Sequence, residues 1–299
     1  MGTAPALGLK AFGMLLLLAC MFGGNHVAAR FALDDGVDVA TAVAVRSLAT
    51  AAVVAAIVAW MRVPLATTPR HRRMLPLIAL LVTVQSLALY SAVARIPVAL
   101  ALLAFNTYPL WTTAAAWALY RHRPEKRVLV AMPVILLGLA LALDVAGAAS
   151  GLGVGEHWGR IGSGVGFALF AGAVFGGALV LTQHEVADLD GRLRTAVTMA
   201  IVGTLALLAA LTQGGLHWPS ATPGWWGLAL LTLLYGTAFT IMFTLLPKLG
   251  VVGSSPILNV EPVAALAMAW ALLGQAVSAL QLTGALLVVG TVMVLGLRR

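Results

Sequence analysis

The chain has 299 residues, of which 61% are apolar and only 9% are charged. Soluble domains carry roughly 25% charged residues, so the composition excludes a water-soluble globule and a disordered chain. The formal charge of +8 does not indicate a nucleic-acid binder, because the basic residues lie in short clusters between apolar runs. The single cysteine, Cys20, permits neither an internal disulfide nor a cysteine metal site. The composition predicts an all-α, polytopic membrane protein.

Each transmembrane helix needs about 20 mostly apolar residues. Charged clusters and breaks rich in proline and glycine divide the chain into ten such segments. In chain order, the predicted helices are residues 8–30, 38–60, 74–94, 97–119, 128–147, 160–183, 195–215, 224–246, 251–273 and 278–297.

The distribution of Lys and Arg predicts the orientation of these helices, because basic residues collect on the cytoplasmic side. If both termini are cytoplasmic, fourteen of the eighteen basic residues lie on that side. Arg30, Arg95 and Arg160 then lie outside, and Arg46 lies within the second helix. We therefore expect both termini in the cytoplasm.

The two halves of the sequence are related by a shift of 153 residues, which places residues 106–109 on residues 259–262. Each half contains five predicted helices, an odd number, so the halves insert with opposite orientation. Inverted repeats are typical of secondary transporters, whose substrate site lies near the midplane where the repeats meet. The alternative is a duplication that now serves stability alone. We predict two repeats, at residues 1–150 and 151–299.

Several segments carry a resemblance to a known family: residues 22–28 (FGGNHVA), 45–47 (VRS), 258–266 (LNVEPVAAL), 270–274 (WALLG) and 281–285 (QLTGA). They resemble the drug/metabolite transporter superfamily, in its ten-helix group with two EamA-type domains, over essentially the whole chain. Phe22 stands where that family usually has Trp, and Gln275 where it commonly has Glu. No role of that Glu is therefore carried over.

The resemblance implies a transporter in a bacterial-type inner (plasma) membrane rather than an enzyme. Members of this group mostly export small metabolites, often amino acids, from the bacterial cytoplasm. The Asn25-His26 pair makes the chain similar to the bacterial aromatic-amino-acid exporters of the group. A multidrug or organic-cation exporter and a nucleotide-sugar-type carrier are alternatives within transport. An intramembrane enzyme or a scaffold is the alternative from a different class.

Ionisable groups within a membrane-spanning helix are costly and usually face protein or a water-filled cavity. Glu261 and Arg46 lie about ten and about eight residues into their predicted helices, so both sit roughly 12–15 Å deep. An ion pair between them is geometrically feasible. Glu261 is expected to meet a substrate amine or to titrate during transport, or else to form a structural ion pair that holds two helices together. Arg46 is expected to form a structural ion pair or to take part in coupling.

Asn25 and His26 are candidates for substrate selection, because the matching positions of the second half hold Ala178 and Leu179. The alternative is a hydrogen-bonded contact between helices.

Asn106 and Asn259 each lie three residues before a proline, which frees a backbone carbonyl one turn earlier. They either cap this kink locally or bind the substrate. Tyr108 and Glu261 point away from the helix faces that carry these two asparagines. The predicted substrate-binding residues with aromatic side chains are Tyr90, Tyr108, Trp111, Phe175, Tyr235 and Phe239.

The sequence predicts no catalytic residue, metal site or cofactor. His184-Glu185 lacks the second histidine of a zinc motif, because Asp188 occupies that position, and no Walker loop or G-x-S-x-G motif is present. The predicted partners are a small-molecule substrate, an amino acid or related metabolite, and the lipid bilayer, with no nucleic acid. A monomer is compatible with the sequence.

Overall fold

The computed structural model describes residues 9–122, 126–144, 154–244, 261–275 and 278–297. The regular secondary structure of these residues is helical, in agreement with the predicted all-α class. The helices are α1 (Leu9–Asp34), α2 (Val39–Trp60), α3 (Pro69–Arg95), α4 (Val98–Phe105), α5 (Tyr108–Tyr120), α6 (Lys126–Ala142), α7 (Val154–Glu185), α8 (Gly191–Thr212), α9 (Thr222–Thr244), α10 (Glu261–Leu273) and α11 (Ala279–Leu297).

Seven helical segments among the described residues are long and apolar enough to cross a membrane. They comprise α1, α2, α3, the α4–α5 unit, α7, α8 and α9. Helices α6, α10 and α11 contain shorter apolar stretches of 10–17 residues. The chain is therefore a multi-pass membrane protein, and the count of ten transmembrane helices stays a prediction.

The fourth predicted helix, residues 97–119, is interrupted rather than continuous. Helix α4 ends at Phe105, and α5 begins at Tyr108 with Pro109 in its first turn. The side-chain amide of Asn106 donates to the carbonyl of Leu102 at 2.8 Å, and the hydroxyl of Thr107 donates to the carbonyl of Ala104 at 2.8 Å. These polar side chains provide hydrogen bonds at the break, which the hydrocarbon around a membrane helix cannot provide.

The packing of the helices repeats between the two halves. The 153-residue shift relates α1 to α7, α2 to α8, α3 to α9 and α6 to α11. Helices α2 and α6 each pack against their own counterparts, α8 and α11. Helix α3 packs against α7 and α8, and correspondingly α9 packs against α1 and α2. Exchanging the halves therefore leaves this pattern of helix contacts unchanged.

Matched helices run in opposite directions. Asp38, before the start of α2, accepts a 2.8 Å hydrogen bond from Nδ1 of His217, which follows the end of α8. At the other end of the pair, Arg192 in the first turn of α8 donates to the sulfur of Met61 at 3.1 Å. In the pair formed by α6 and α11, Gly284 near the start of α11 packs against Ala142 at the end of α6. Both pairs are thus antiparallel.

Asp38 also caps α2, because its carboxylate accepts a hydrogen bond from the backbone N–H of Thr41 at 2.7 Å. Burial alone would raise the pKa of this carboxyl, but the hydrogen bonds from Thr41 and His217 hold the pKa below its usual value. Asp38 therefore fixes the connection between α1 and α2 against the connection between α8 and α9.

Glycines allow closely matched approaches in the two halves. A methyl group at Gly176 on α7 would lie 2.7 Å from the backbone nitrogen of Thr112 on α5. A methyl group at Gly23 on α1 would lie 3.0 Å from the backbone nitrogen of Ala265 on α10. The 153-residue shift relates these two contacts residue by residue. Helix α1 thereby approaches the first turn of α10, which carries Glu261.

We predict that Gly176→Ala lowers the free energy of unfolding by about 1–3 kcal/mol, because the new methyl group has to displace backbone atoms of α5. The matched control is Gly166→Ala on the same helix, where no atom lies within 4 Å of the added carbon. That variant should be as stable as the parent or slightly more stable. Thermal unfolding of the full chain in detergent compares the two, and equal stability of both variants would contradict the close contact.

Candidate functional site

A buried polar cluster lies where α1, α2, α3, α9 and α10 meet. Its centre is Arg46 on α2, which is 3% exposed. The carbon of its guanidinium lies 4.5 Å from the ring centroid of Tyr90 and 4.0 Å from that of Tyr235. Its Nη2 donates to the hydroxyl of Ser86 at 2.9 Å. Cation–π contacts of this kind strengthen when they are shielded from water.

Asn25 on α1 joins the cluster through Tyr90. The hydroxyl of Tyr90 donates to Oδ1 of Asn25 at 3.0 Å, and both residues are 0% exposed. The amide nitrogen of Asn25 has no hydrogen-bond partner in the described part of the chain. An unpaired buried amide is costly in a packed interior. Asn25 thus forms a hydrogen-bonded contact between helices, the alternative considered for it, and its amide nitrogen has no partner among the described residues.

His26 brings the second half of the chain into the cluster. Its Nε2 lies 3.5 Å from Oε1 of Glu261, which is the first residue of α10 and has a side chain 23% exposed. The ring of His26 meets that of Tyr90 edge-on, with 5.7 Å between centroids. Its Nδ1 is buried and has no hydrogen-bond partner among the described residues. Tyr90 therefore contacts both Arg46 and the pair formed by His26 and Glu261.

The structure gives Arg46 and Glu261 different partners from those expected at the sequence level. Glu261 pairs with His26, while Arg46 bonds to Ser86 and stacks on two tyrosines. The ion pair between Arg46 and Glu261 that the sequence makes geometrically feasible is not among the contacts of the described residues. The guanidinium carbon instead lies 4.5 Å and 4.0 Å from the ring centroids of Tyr90 and Tyr235, and cation–π attraction to these rings favours this position.

Other predicted residues lie around or away from this cluster. Phe239 packs on Tyr235 with 4.5 Å between ring centroids. Tyr108 and Phe175 pack together 5.3 Å apart, beside Phe105.

The remaining predicted residues do not join it. Asn106 is buried but its side-chain amide caps its own helix, which is the local role considered for it. Trp111 is 42% exposed and donates its indole N–H to Thr107, so its ring lies on the outer surface. Asn259 lies outside the described residues.

Ser86, the hydrogen-bond partner of Arg46, is not among the residues predicted from the sequence. Gln85 and Ser86 are adjacent, buried and polar within a predicted membrane helix. Two consecutive polar residues within an apolar helix were the available signal, since such groups usually face other helices.

Two cavities lie beside the cluster rather than in it. A groove of about 620 Å³ runs between α2 and α9 and is lined by apolar and threonine side chains. A small cavity of about 30 Å³ lies between α4, α10 and α11 and includes Gln275, whose Oε1 has no partner in the described part of the chain. The smaller cavity has room for about one water molecule.

Comparison with known proteins identifies the class of this fold. A sequence profile of the EamA-like transporter family matches the chain twice, over residues 9–143 and 162–297. The chain therefore belongs to the EamA-like transporter family of the drug/metabolite transporter superfamily. This result confirms the family prediction and the presence of two repeats. Members of this family are transporters, which supports a transporter rather than an enzyme.

The known structures agree with the fold. Fourteen chains of solved structures match. One of them, a crystal structure described only as that of a protein, is 17% identical and superimposes with a TM-score of 0.63. The match covers 97% of this chain and 98% of the other chain. At this identity the likeness establishes the fold alone. No curated protein matches the chain.

We predict an energetic coupling between Asn25 and Tyr90. In a double-mutant cycle of Asn25→Ala and Tyr90→Phe, the two effects on unfolding should be non-additive by about 0.6 kcal/mol, with about 1.7 kcal/mol as the upper range for hydrogen bonds between membrane helices. The control cycle combines Tyr90→Phe with Thr204→Val. The hydroxyl of Thr204 is exposed and donates to the carbonyl of Ala200 on its own helix, α8. That cycle should be additive. Additivity in both cycles would contradict the hydrogen bond.

Proposed function

We propose that this protein is a secondary transporter that exports small metabolites, in particular amino acids, across a bacterial-type inner membrane. Transport proceeds by alternating access through a site between the two repeats. Ten transmembrane helices in two inverted five-helix repeats, with both termini in the cytoplasm, are part of this proposal. The antiparallel pairing of α2 with α8 and of α6 with α11 supports the inverted arrangement.

The observation that carries the proposal is the composition of the buried cluster. Asn25, Arg46 and Tyr90 come from the first matched repeat, and Tyr235 and Glu261 come from the second. A site built from both repeats changes its exposure when one repeat rocks against the other, which is how inverted-repeat transporters give alternating access. Burying polar groups within the membrane costs free energy, and a role as ligands for the substrate accounts for their presence here.

The aromatic lining supports amino acids with aromatic side chains as substrates. The rings of Tyr90, Tyr235 and Phe239, with Phe22 against Phe239, give the cluster an aromatic wall. Aromatic substrates pack on such rings in edge-on or offset geometry. The His26–Glu261 pair is the proposed coupling site, because it places a histidine and a carboxylate 3.5 Å apart at the contact between the two repeats.

Flux into proteoliposomes tests the proposal. We expect protein-dependent flux of one or more amino acids from a labelled panel, with aromatic amino acids among the fastest. Protein-dependent flux of organic cations, with none of any amino acid, would instead support the cation-exporter alternative. An absence of flux for every compound would contradict secondary transport.

The variant Glu261→Gln, assayed under a pH gradient, tests coupling within the same experiment. We expect its amino-acid flux to lose the response to the gradient, because a glutamine side chain does not titrate. The matched control is Glu156→Gln, which removes an exposed carboxylate paired only with Arg160 on its own helix. Unchanged flux and an unchanged pH response in Glu261→Gln would exclude Glu261 from coupling.

A further inference from the structure

The positive charge of Arg46 has no counter-charge in the described structure. The chain has ten carboxylates, of which nine belong to described residues. Seven of them pair with basic side chains other than Arg46: Asp34 with Arg30, Asp38 with His217, Glu156 with Arg160, Glu185 with Arg70, Asp188 with His71, Asp190 with Arg192 and Glu261 with His26. Asp35 accepts from the backbone N–H of Ala221, and Asp144 lies just beyond α6.

A buried cation without a nearby anion is energetically unfavourable, since the low dielectric interior replaces its hydration poorly. Membrane proteins retain such groups where they serve a substrate or ion pathway. The two tyrosine rings beside Arg46 attract its charge, but neither carries a negative charge of its own. The environment of Arg46 therefore holds the guanidinium in place and leaves its charge uncompensated.

The edge of the guanidinium that carries Nε is only partly satisfied by hydrogen bonds. The ring centroids of Tyr90 and Tyr235 lie 4.5 Å and 4.0 Å from the guanidinium carbon, and the nitrogens remain the groups that can bind a further ligand by hydrogen bonds. The Nε–H is buried and has no hydrogen-bond partner among the described residues, while Nη2 bonds to Ser86. Nε and Nη2 lie along the same edge of an arginine side chain. A carboxylate binds this edge through two parallel hydrogen bonds.

We propose that Arg46 is the receptor for the carboxylate of the transported molecule. The substrates of this transporter are then carboxylates, and amino acids in particular, rather than organic amines or other cations. The inference rests on the proposed transport function, because it assigns one end of the substrate within the same site. It goes further in naming the chemical group that the substrate carries and the side chain that binds it.

Two features favour a carboxylate over other anions. A single guanidinium balances one negative charge, whereas a phosphate ester or a nucleotide brings more than one. Asn25, whose Oδ1 accepts from the hydroxyl of Tyr90, has an amide nitrogen without a partner among the described residues, and this nitrogen is a further donor for a polar group of the substrate. A cationic substrate would instead add a second positive charge beside Arg46, which the cluster opposes by electrostatic repulsion.

Ligand binding to the purified full chain in detergent tests the assignment without requiring transport. Thermal stabilisation is measured with each of the common amino acids and with the corresponding amino-acid amides, which keep the ammonium group and lose the carboxylate. We expect at least one amino acid to bind, and its amide to bind at least tenfold more weakly. Equal affinity for acid and amide, or no binding by any amino acid, would overturn the proposal.

Variants of Arg46 distinguish a receptor from a structural residue. We expect Arg46→Met to abolish the preference for acid over amide, and to melt without ligand at the same temperature as the parent or higher, because it removes an uncompensated charge. Arg46→Lys should retain a weakened preference, since it keeps the charge but loses the paired donors. Arg46 would instead be a structural residue if Arg46→Met melted at a lower temperature than the parent while Arg46→Lys kept the parent's full preference for acid over amide.

The same variants separate this inference from the proposed function. Arg46-dependent binding of amino acids without flux in proteoliposomes would uphold the carboxylate site and contradict transport. Flux of amino acids and of their amides at equal rates, unchanged in Arg46→Lys, would uphold transport and contradict the carboxylate site.

Discussion

Water is scarce in the hydrocarbon interior of a bilayer, so each buried polar group has to find a partner in the protein or carry an energetic cost. This constraint accounts for the hydrogen bonds at the break between α4 and α5, where Asn106 and Thr107 donate to carbonyls of the preceding turn. It also makes the buried cluster around Arg46 conspicuous, because several of its donors have no partner in the described structure. In a membrane protein, donors that stay unpaired at rest are suited to a ligand that arrives later.

Tyr90 links the parts of this cluster. Its ring lies beside the guanidinium of Arg46 and meets the ring of His26, while its hydroxyl holds Asn25. Through His26 the contacts reach Glu261, which belongs to the second repeat. The glycine contact of α1 with α10 at Gly23 brings these helices close enough for that pairing. The close helix packing and the polar site are therefore one arrangement, in which each half supplies part of the binding surface.

Much of the fold could be predicted from the sequence, because helices that cross a bilayer need long apolar segments and these segments recur in both halves of the chain. The shift of 153 residues anticipated the paired contacts of Gly23 and Gly176, which the structure places at matching positions. The contacts within the site were harder to predict from the sequence. Scarcity of charge identified Arg46 and Glu261, but depth in the membrane does not determine which partner each one meets. Aromatic residues such as Trp111 were equally ambiguous, since the orientation of a helix face depends on tertiary packing.

Alternating access requires the cluster around Arg46 to open in turn to the two sides of the membrane. Ser86 touches Arg46 directly and is 2% exposed, so a Ser86→Cys variant in a Cys20→Ala background reports access to the site. A membrane-impermeant thiol reagent is added to proteoliposomes from one side or the other, with and without amino acid. We expect labelling from each side, slowed by a transported amino acid. Labelling from neither side, or from one side alone under all conditions, would rule out alternating access at this cluster.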